Sequence, residues 1–269
     1  MWLKHANTVI STSSGKTSFR ACGGILVPRF IMINILDIPH DKRAVFIERL
    51  NRFLGVVETG GQRVNVHIHD HGRLPEILYP GNSVLLRRSA GQKRKTKWDV
   101  LAGLVDKRWV FVHSGYHRAI TEKILLNESI SPFGAVSELD AEVRYKTSRL
   151  DFRLKLSIGD IVWLEVKGCT LAKNGVALFP DAPTTRGRRH LEELIKLKED
   201  GYRAAVLFLV MRADARCFAP NQSMDPEFAK SFKQAVEKGV EIYPIKMDYD
   251  GEKIWYKGCV PLCETLKRR

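Results

Sequence analysis

The chain has 269 residues, 44% hydrophobic and 28% charged, with 44 Lys and Arg against 30 Asp and Glu for a net charge of +14. This composition excludes a wholly disordered protein, and no run approaches the roughly 18–20 apolar residues of a membrane-spanning helix. The basic excess points to a polyanionic partner, nucleic acid ahead of an anionic membrane, because no basic amphipathic helix accompanies it.

Residues 1–31 are rich in Ser and Thr, carry four basic and no acidic side chains, and show neither helical nor strand periodicity. They predict a poorly ordered extension without a signal peptide. Residues 32–114 predict a first domain of short strands. Arg52–Thr59 passes through Gly60-Gly61 into Gln62–Asp70, where Val64, Val66 and Ile68 alternate with polar residues. Ser83–Ser89, Trp98–Val105 and Arg108–His113 follow, giving the count of a five-stranded barrel of the oligonucleotide- or oligosaccharide-binding (OB) kind.

Residues 115–269 change rhythm. Helices are predicted over His117–Glu128, Gly187–Asp200 and Pro226–Gly239, the last with Asp225 as N-cap and Pro226 at its first position. Strands are predicted over Leu139–Tyr145, Leu150–Leu156, Ile161–Leu171, Arg203–Met211 and Val240–Ile245. This order describes an α/β domain with a mixed central sheet. The five cysteines are scattered without paired spacing, which argues against a zinc ribbon or disulfide scaffold and for a reducing, cytoplasmic setting.

The chemistry concentrates in one predicted hairpin. Leu150, Phe152, Leu154 and Leu156 take one strand face and Asp151 the other; Val162, Leu164 and Val166 take one face and Glu165 and Lys167 the other. Joining the aliphatic faces pairs even numbers with even numbers. A three-residue loop containing Gly159 closes that parity and sets Asp151 opposite Glu165 or Lys167, with Cβ atoms ~5 Å apart. Two such carboxylates repel unless a cation or proton lies between them, and their hard oxygens suit Mg²⁺ or Mn²⁺. Lys167 is then placed to hold an attacking water or a phosphate oxygen. The alternative is a solvated Asp–Lys–Glu ion-pair ladder, which Trp163 and Cys169 on the same face make less simple.

Several further segments join this hairpin: Arg52-Phe53-Leu54, His69 to Arg73, Tyr79-Pro80-Gly81, Ile124 to Ile130, Ser148 to Phe152, Glu165-Val166-Lys167, Phe179 to Ala182, Thr185-Arg186-Gly187 and His190-Leu191. Together they resemble the sugar fermentation stimulation protein A family over most of the chain after Ile33. The resemblance implies an OB-like barrel followed by a PD-(D/E)-x-K nuclease-like domain, DNA binding, and a role in regulating sugar (maltose) use. It implies Asp151, Glu165 and Lys167 as the nuclease motif, with Glu122 as a further acidic member. Leu150 stands where the nuclease signature has proline.

Other candidates surround these. Asp181 and His190 read as supporting residues, and Arg186, Arg188 and Arg189 as phosphate contacts near a helix start. Arg73, Arg94, Lys95 and Lys97 are barrel-side candidates for nucleic acid, with Trp98 available for stacking. His67, His69 and His71 do not make a zinc site, because His71 falls at a turn and no thiol has partner spacing. No nucleotide-cofactor loop is present. A homodimer is compatible with a DNA binder, although no residue pattern specifies one. The sequence therefore predicts a cytoplasmic nucleic-acid-binding protein with a nuclease-like site. Its alternatives are a non-catalytic DNA-binding regulator and an oligosaccharide-binding barrel.

Overall fold

The structure is a computed structural model and describes residues 19–22, 25–28, 32–89, 94–146 and 148–263. The leading strands are β1 (Phe19–Cys22) and β2 (Ile25–Pro28), an antiparallel pair within the segment read as lacking strand periodicity. The rest of residues 1–31 lies outside the described residues. The next seven strands are β3 (Ile33–Asp37), β4 (Lys42–Arg49), β5 (Leu54–Thr59), β6 (Gln62–His67), β7 (Ser83–Arg88), β8 (Trp98–Val105) and β9 (Arg108–Phe111).

The barrel closes through β4–β5–β6–β8–β7 and back to β4. Its five strands are not quite the predicted five. β4 was missed, whereas β9 leaves the ring, pairing β8 on one side and the second domain's sheet on the other through Trp109 and Tyr249. The reason lies in Ala44-Val45-Phe46-Ile47. Ala44 and Phe46 point into the core and Val45 is exposed, so an apolar outward residue hides the period of two. A register shift between Phe46 and Glu48 blurs it further.

The second domain contains α1 (His117–Leu125), β10 (Val136–Tyr145), β11 (Ser148–Leu156), β12 (Ile161–Cys169), β13 (Ala172–Lys173), β14 (Val176–Phe179) and α2 (Thr185–Glu199). It continues with β15 (Arg203–Val210), β16 (Cys217–Pro220), α3 (Pro226–Glu237), β17 (Glu241–Tyr249) and β18 (Lys253–Cys259). β10, β11 and β12 form an antiparallel meander, to which β15 and then β17 add in parallel. The mixed sheet is as predicted. Thr184 and Asp225 cap α2 and α3 through bonds from Gly187 N and Phe228 N, with Pro226 at the helix start.

The two faces of β12 enter different cores. Val162 and Leu164 pack with Ile120 and Ile124 of α1, while Trp163 and Cys169 pack with Leu191 and Leu194 of α2 and with Phe208 and Phe228. Odd-numbered side chains of β12 therefore face α2. The cysteine expectation is corrected: Cys217 and Cys263 form a disulfide across a separation of 46 residues, while Cys169 is a free, buried thiol. Sequence spacing did not show the pairing because a tertiary bridge, Phe218 with Leu262, brings the chain end to β16. No helix among the described residues is long and apolar enough to cross a membrane.

Candidate functional site

The β11–β12 hairpin keeps the predicted parity, with Phe152 opposite Leu164 and Leu154 opposite Val162. Leu156 N bonds to Asp160 O, leaving residues 157–159 as the loop, and Gly159 takes φ 96°. One prediction fails at its edge. The β10–β11 pairing passes from Ala141–Phe152 to Val143–Leu150, Glu142 between them has φ 57°, and Leu150 joins the α2-side core instead of the core holding Phe152 and Leu154. The strand thus bends at Asp151, whose Oδ2 accepts the backbone N–H of Val166 at 2.7 Å.

Asp151, Glu165 and Lys167 line one cleft of about 780 Å³ between the two domains, together with Arg52, Asp70 and His71 from the barrel and Asp181 and Arg186 from the α2 approach. Glu165 is buried at 2% exposure. Its Oε1 accepts Lys167 Nζ at 2.6 Å and the Nδ1–H of His190, while Oε2 is buried without a hydrogen-bond partner among the described residues. Arg186 Nε donates to His190 Nε2 at 3.4 Å, which assigns the ring proton to Nδ1. Burial opposes ionisation of Glu165, but the His190 bond and the neighbouring positive charges outweigh it and hold the carboxyl below its ordinary range. Asp151 is pushed the other way, by burial and then by the charge of Glu165. Two adjacent carboxylates, one buried with an orphaned oxygen and the other made harder to ionise by burial and then by its neighbour's charge, form a donor set that fits a divalent cation.

Asp181 and Asp70, from opposite domains, make a second acidic wall. Asp181 lies against the barrel backbone. Burial raises its pKa while the amides of Leu74 and Arg73 favour its charge, and its Oδ2 is buried without a partner among the described residues. Asp70 is pushed up to about 6, first by burial and also by the charge of Asp181, against a bond from Gly72 N at 2.7 Å. The sign of this shift makes Asp70 a cost. Relative to an unfolded value near 3.8, its folded form holds the proton longer, so stability falls as pH rises from about 4 to 6 and stays reduced above. Asp70→Asn keeps an acceptor for Gly72 and is expected to stabilise the protein by about 1–3 kcal/mol at pH 7.5, with no gain near pH 4. Urea unfolding of both proteins at the two pH values checks this, and an equal gain at both would refute the assignment.

The remaining predicted residues are distributed as follows. Glu122 is not itself among the cleft-lining residues but pairs at 2.8 Å with Arg118, which is. His117, one turn earlier on α1, lines the cleft and is pushed down to about 4 by burial. Arg186 lines the cleft, but Arg188 and Arg189 reach Glu192 and Glu193 along α2 and do not. Arg73 is exposed beside the cleft-lining Gly72. Arg94 spans both oxygens of Asp99 at 2.8 and 3.0 Å, which ties it down, whereas Lys95 and Lys97 are exposed. Trp98 is half-buried under Lys42.

His67, His69 and His71 do not converge on one ion. Ligand atoms of His69, Asp99 and His113 instead lie within 4.8 Å of one another, but the two rings are stacked at 3.6 Å and Arg94 covers the carboxylate. The sequence did not single out Asp70 and His117 as cleft residues. Asp70 had a local signal, an Asp two residues before the Gly that its side chain caps, but its burial against another domain had none.

Comparison with known proteins bears on the family and the fold. Residues 47–112 match the family model described as the SfsA N-terminal OB domain, and residues 115–253 match the sugar fermentation stimulation protein RE domain. A sugar fermentation stimulation protein homolog of Methanococcoides burtonii is 48% identical over 235 residues, covering 85% of this chain and 95% of that protein. One of Thermotoga neapolitana is 45% identical over 231 residues, covering 86% and 99%. A structure of Pyrococcus furiosus SfsA in complex with Ca²⁺ superposes with a TM-score of 0.80 at 29% identity, covering 86% of this chain and 99% of that one.

Proposed function

The chain belongs to the sugar fermentation stimulation protein family, and from that membership and its cleft we propose a divalent-cation-dependent phosphodiesterase site acting on nucleic acid, DNA foremost. The observation that carries this reading is the convergence of Asp151, Glu165 and Lys167 in a cleft between a barrel and a mixed sheet. Asp151 and Glu165 would hold Mg²⁺ or Mn²⁺, which when bound acidifies water and neutralises phosphate charge. The relative solved with Ca²⁺ supports a hard-cation site in the family. Lys167 supplies the ammonium that positions water or a phosphate oxygen. His190 keeps Glu165 ionised and oriented, and Arg52 and Arg186 attract the phosphate backbone from opposite walls.

A second reading, a non-catalytic DNA-binding regulator of sugar (maltose) genes, draws support from Glu122 lying outside the cleft. Purified protein incubated with single- and double-stranded DNA and RNA, with Mg²⁺, Mn²⁺ or EDTA, separates the two. Cleavage that requires the metal is expected. Binding without cleavage of any substrate would leave the regulator reading.

Cation binding has its own readout. Mn²⁺ or Ca²⁺ at a hundredfold excess over its Kd is expected to stabilise the fold by about 2.7 kcal/mol, on the order of 5 °C in Tm. Asp151→Asn is expected to lose most of that rise. An equal rise in the variant would place the cation elsewhere.

A further inference from the structure

Phe53 is exposed at 41% on the barrel side of the cleft mouth, next to Arg52, and this exposure is built rather than incidental. The turn that carries it is closed by bonds from Leu50 N and Asn51 N to Leu54 O and from Phe53 N to the Asn51 side chain. Arg49 then spends its guanidinium on backbone carbonyls alone. It bonds Asn51 and Arg52 in this turn and Asp70, Gly72 and Arg73 in the neighbouring loop, at 2.6–3.3 Å. The two loops are thereby locked side by side.

That lock frames the Phe53 ring. His71 meets it edge-on at 5.2 Å, and His67 lies nearly parallel to it at 6.1 Å. Arg52 and His71 also line the cleft that holds Asp151 and Glu165. A rigid aromatic face beside the Arg52 guanidinium, at the entrance to the proposed phosphodiester site, matches what an unpaired base requires: a stacking surface and charge for the adjoining phosphate. A paired base within a duplex has both faces covered by its neighbours.

We propose that Phe53, framed by His67 and His71, is a stacking platform for an unpaired nucleobase, so that the cleft takes single-stranded nucleic acid or an unpaired end. This rests on the nucleic-acid reading of the cleft. The preorganised ring adds affinity because little side-chain entropy is lost on stacking.

The test uses three labelled DNAs of equal length in EDTA, followed by fluorescence anisotropy: a single strand, an abasic single strand and a blunt duplex. Phe53→Ala is expected to weaken binding of the base-bearing strand by about tenfold or more while leaving the abasic strand and the duplex unchanged. Phe53→Tyr is expected to bind as wild type does. Equal loss on the abasic strand, or no loss on the base-bearing one, overturns the platform. Wild-type binding to the duplex alone overturns it while sparing the nucleic-acid reading. Wild-type binding to none of the three removes that reading and the platform with it.

Discussion

Glu165→Gln and Lys167→Ala are each expected to lower metal-dependent cleavage by about 10²–10⁴-fold, but for different reasons that a second measurement separates. Glu165 is a proposed cation ligand, so Glu165→Gln is expected to lose the metal-induced rise in Tm as well. Lys167 is not a ligand. Its ammonium neutralises Glu165 Oε1 at 2.6 Å, and removing it leaves both carboxylates facing the cleft with less positive charge around them. Lys167→Ala is therefore expected to retain the metal-induced Tm rise, or to enlarge it, while cleavage fails. If Lys167→Ala cleaved at the wild-type rate, the ion pair would be architectural and the proposed role of Lys167 would fall. If Glu165→Gln kept the full Tm rise, the cation would be held without Glu165.

The second large effect concerns the joint between the domains. Gly72 does not have positive φ, so backbone conformation does not demand glycine there. Space does: a Cβ at Gly72 would come within 2.0 Å of Asp181 Oδ2. Gly72→Ala must displace the Asp181 carboxylate from the amides of Leu74 and Arg73 or move one of the two loops, and the barrel loop is tied down through Arg49 to Gly72 O at 2.6 Å. A destabilisation of about 2–3 kcal/mol is expected, with reduced cleavage because the wall carrying Asp70 and His71 moves. Asp181→Ala in the same chain removes the clashing oxygen, so the double variant is expected to recover most of the stability lost by Gly72→Ala. Chemical unfolding of the four proteins in this cycle gives the coupling. Strict additivity would show that the two residues do not press on each other.

Local order was legible in the sequence alone because each signal there is self-contained. The parity of Leu154 and Val162 in the hairpin follows from alternation and a loop with glycine at a position of positive φ. The start of α3 follows from Asp225, which caps its own first turn, whereas α2 begins at Thr185, two residues before the Gly187 that the pattern marks. The juxtaposition of Asp151, Glu165 and Lys167 is a two-strand property and was reachable by the same reasoning. The two-domain OB and nuclease-like architecture came from a resemblance spread over many short segments, which physical patterning by itself would have supported only as a barrel followed by an α/β domain.

Tertiary structure decided what depends on elements distant in the chain. α1 lies on the even face of β12 and brings His117 and Arg118 to the cleft lining, with Glu122 held by Arg118. Arg94 is consumed by Asp99, and Arg188 and Arg189 by glutamates on their own helix. Barrel closure comes from β4 pairing with both β5 and β7, a strand whose alternation the outward-facing Val45 hides. Asp70, Arg49 and Gly72 matter because the barrel loop meets Asp181 across the domain joint. No sequence period encodes such a contact, because burial of a carboxylate and the repulsion between two of them arise only when separate folding units press together. The sequence determined which strands carry Asp151, Glu165 and Lys167; the packing of one domain on the other determined which other charges line the cleft beside them.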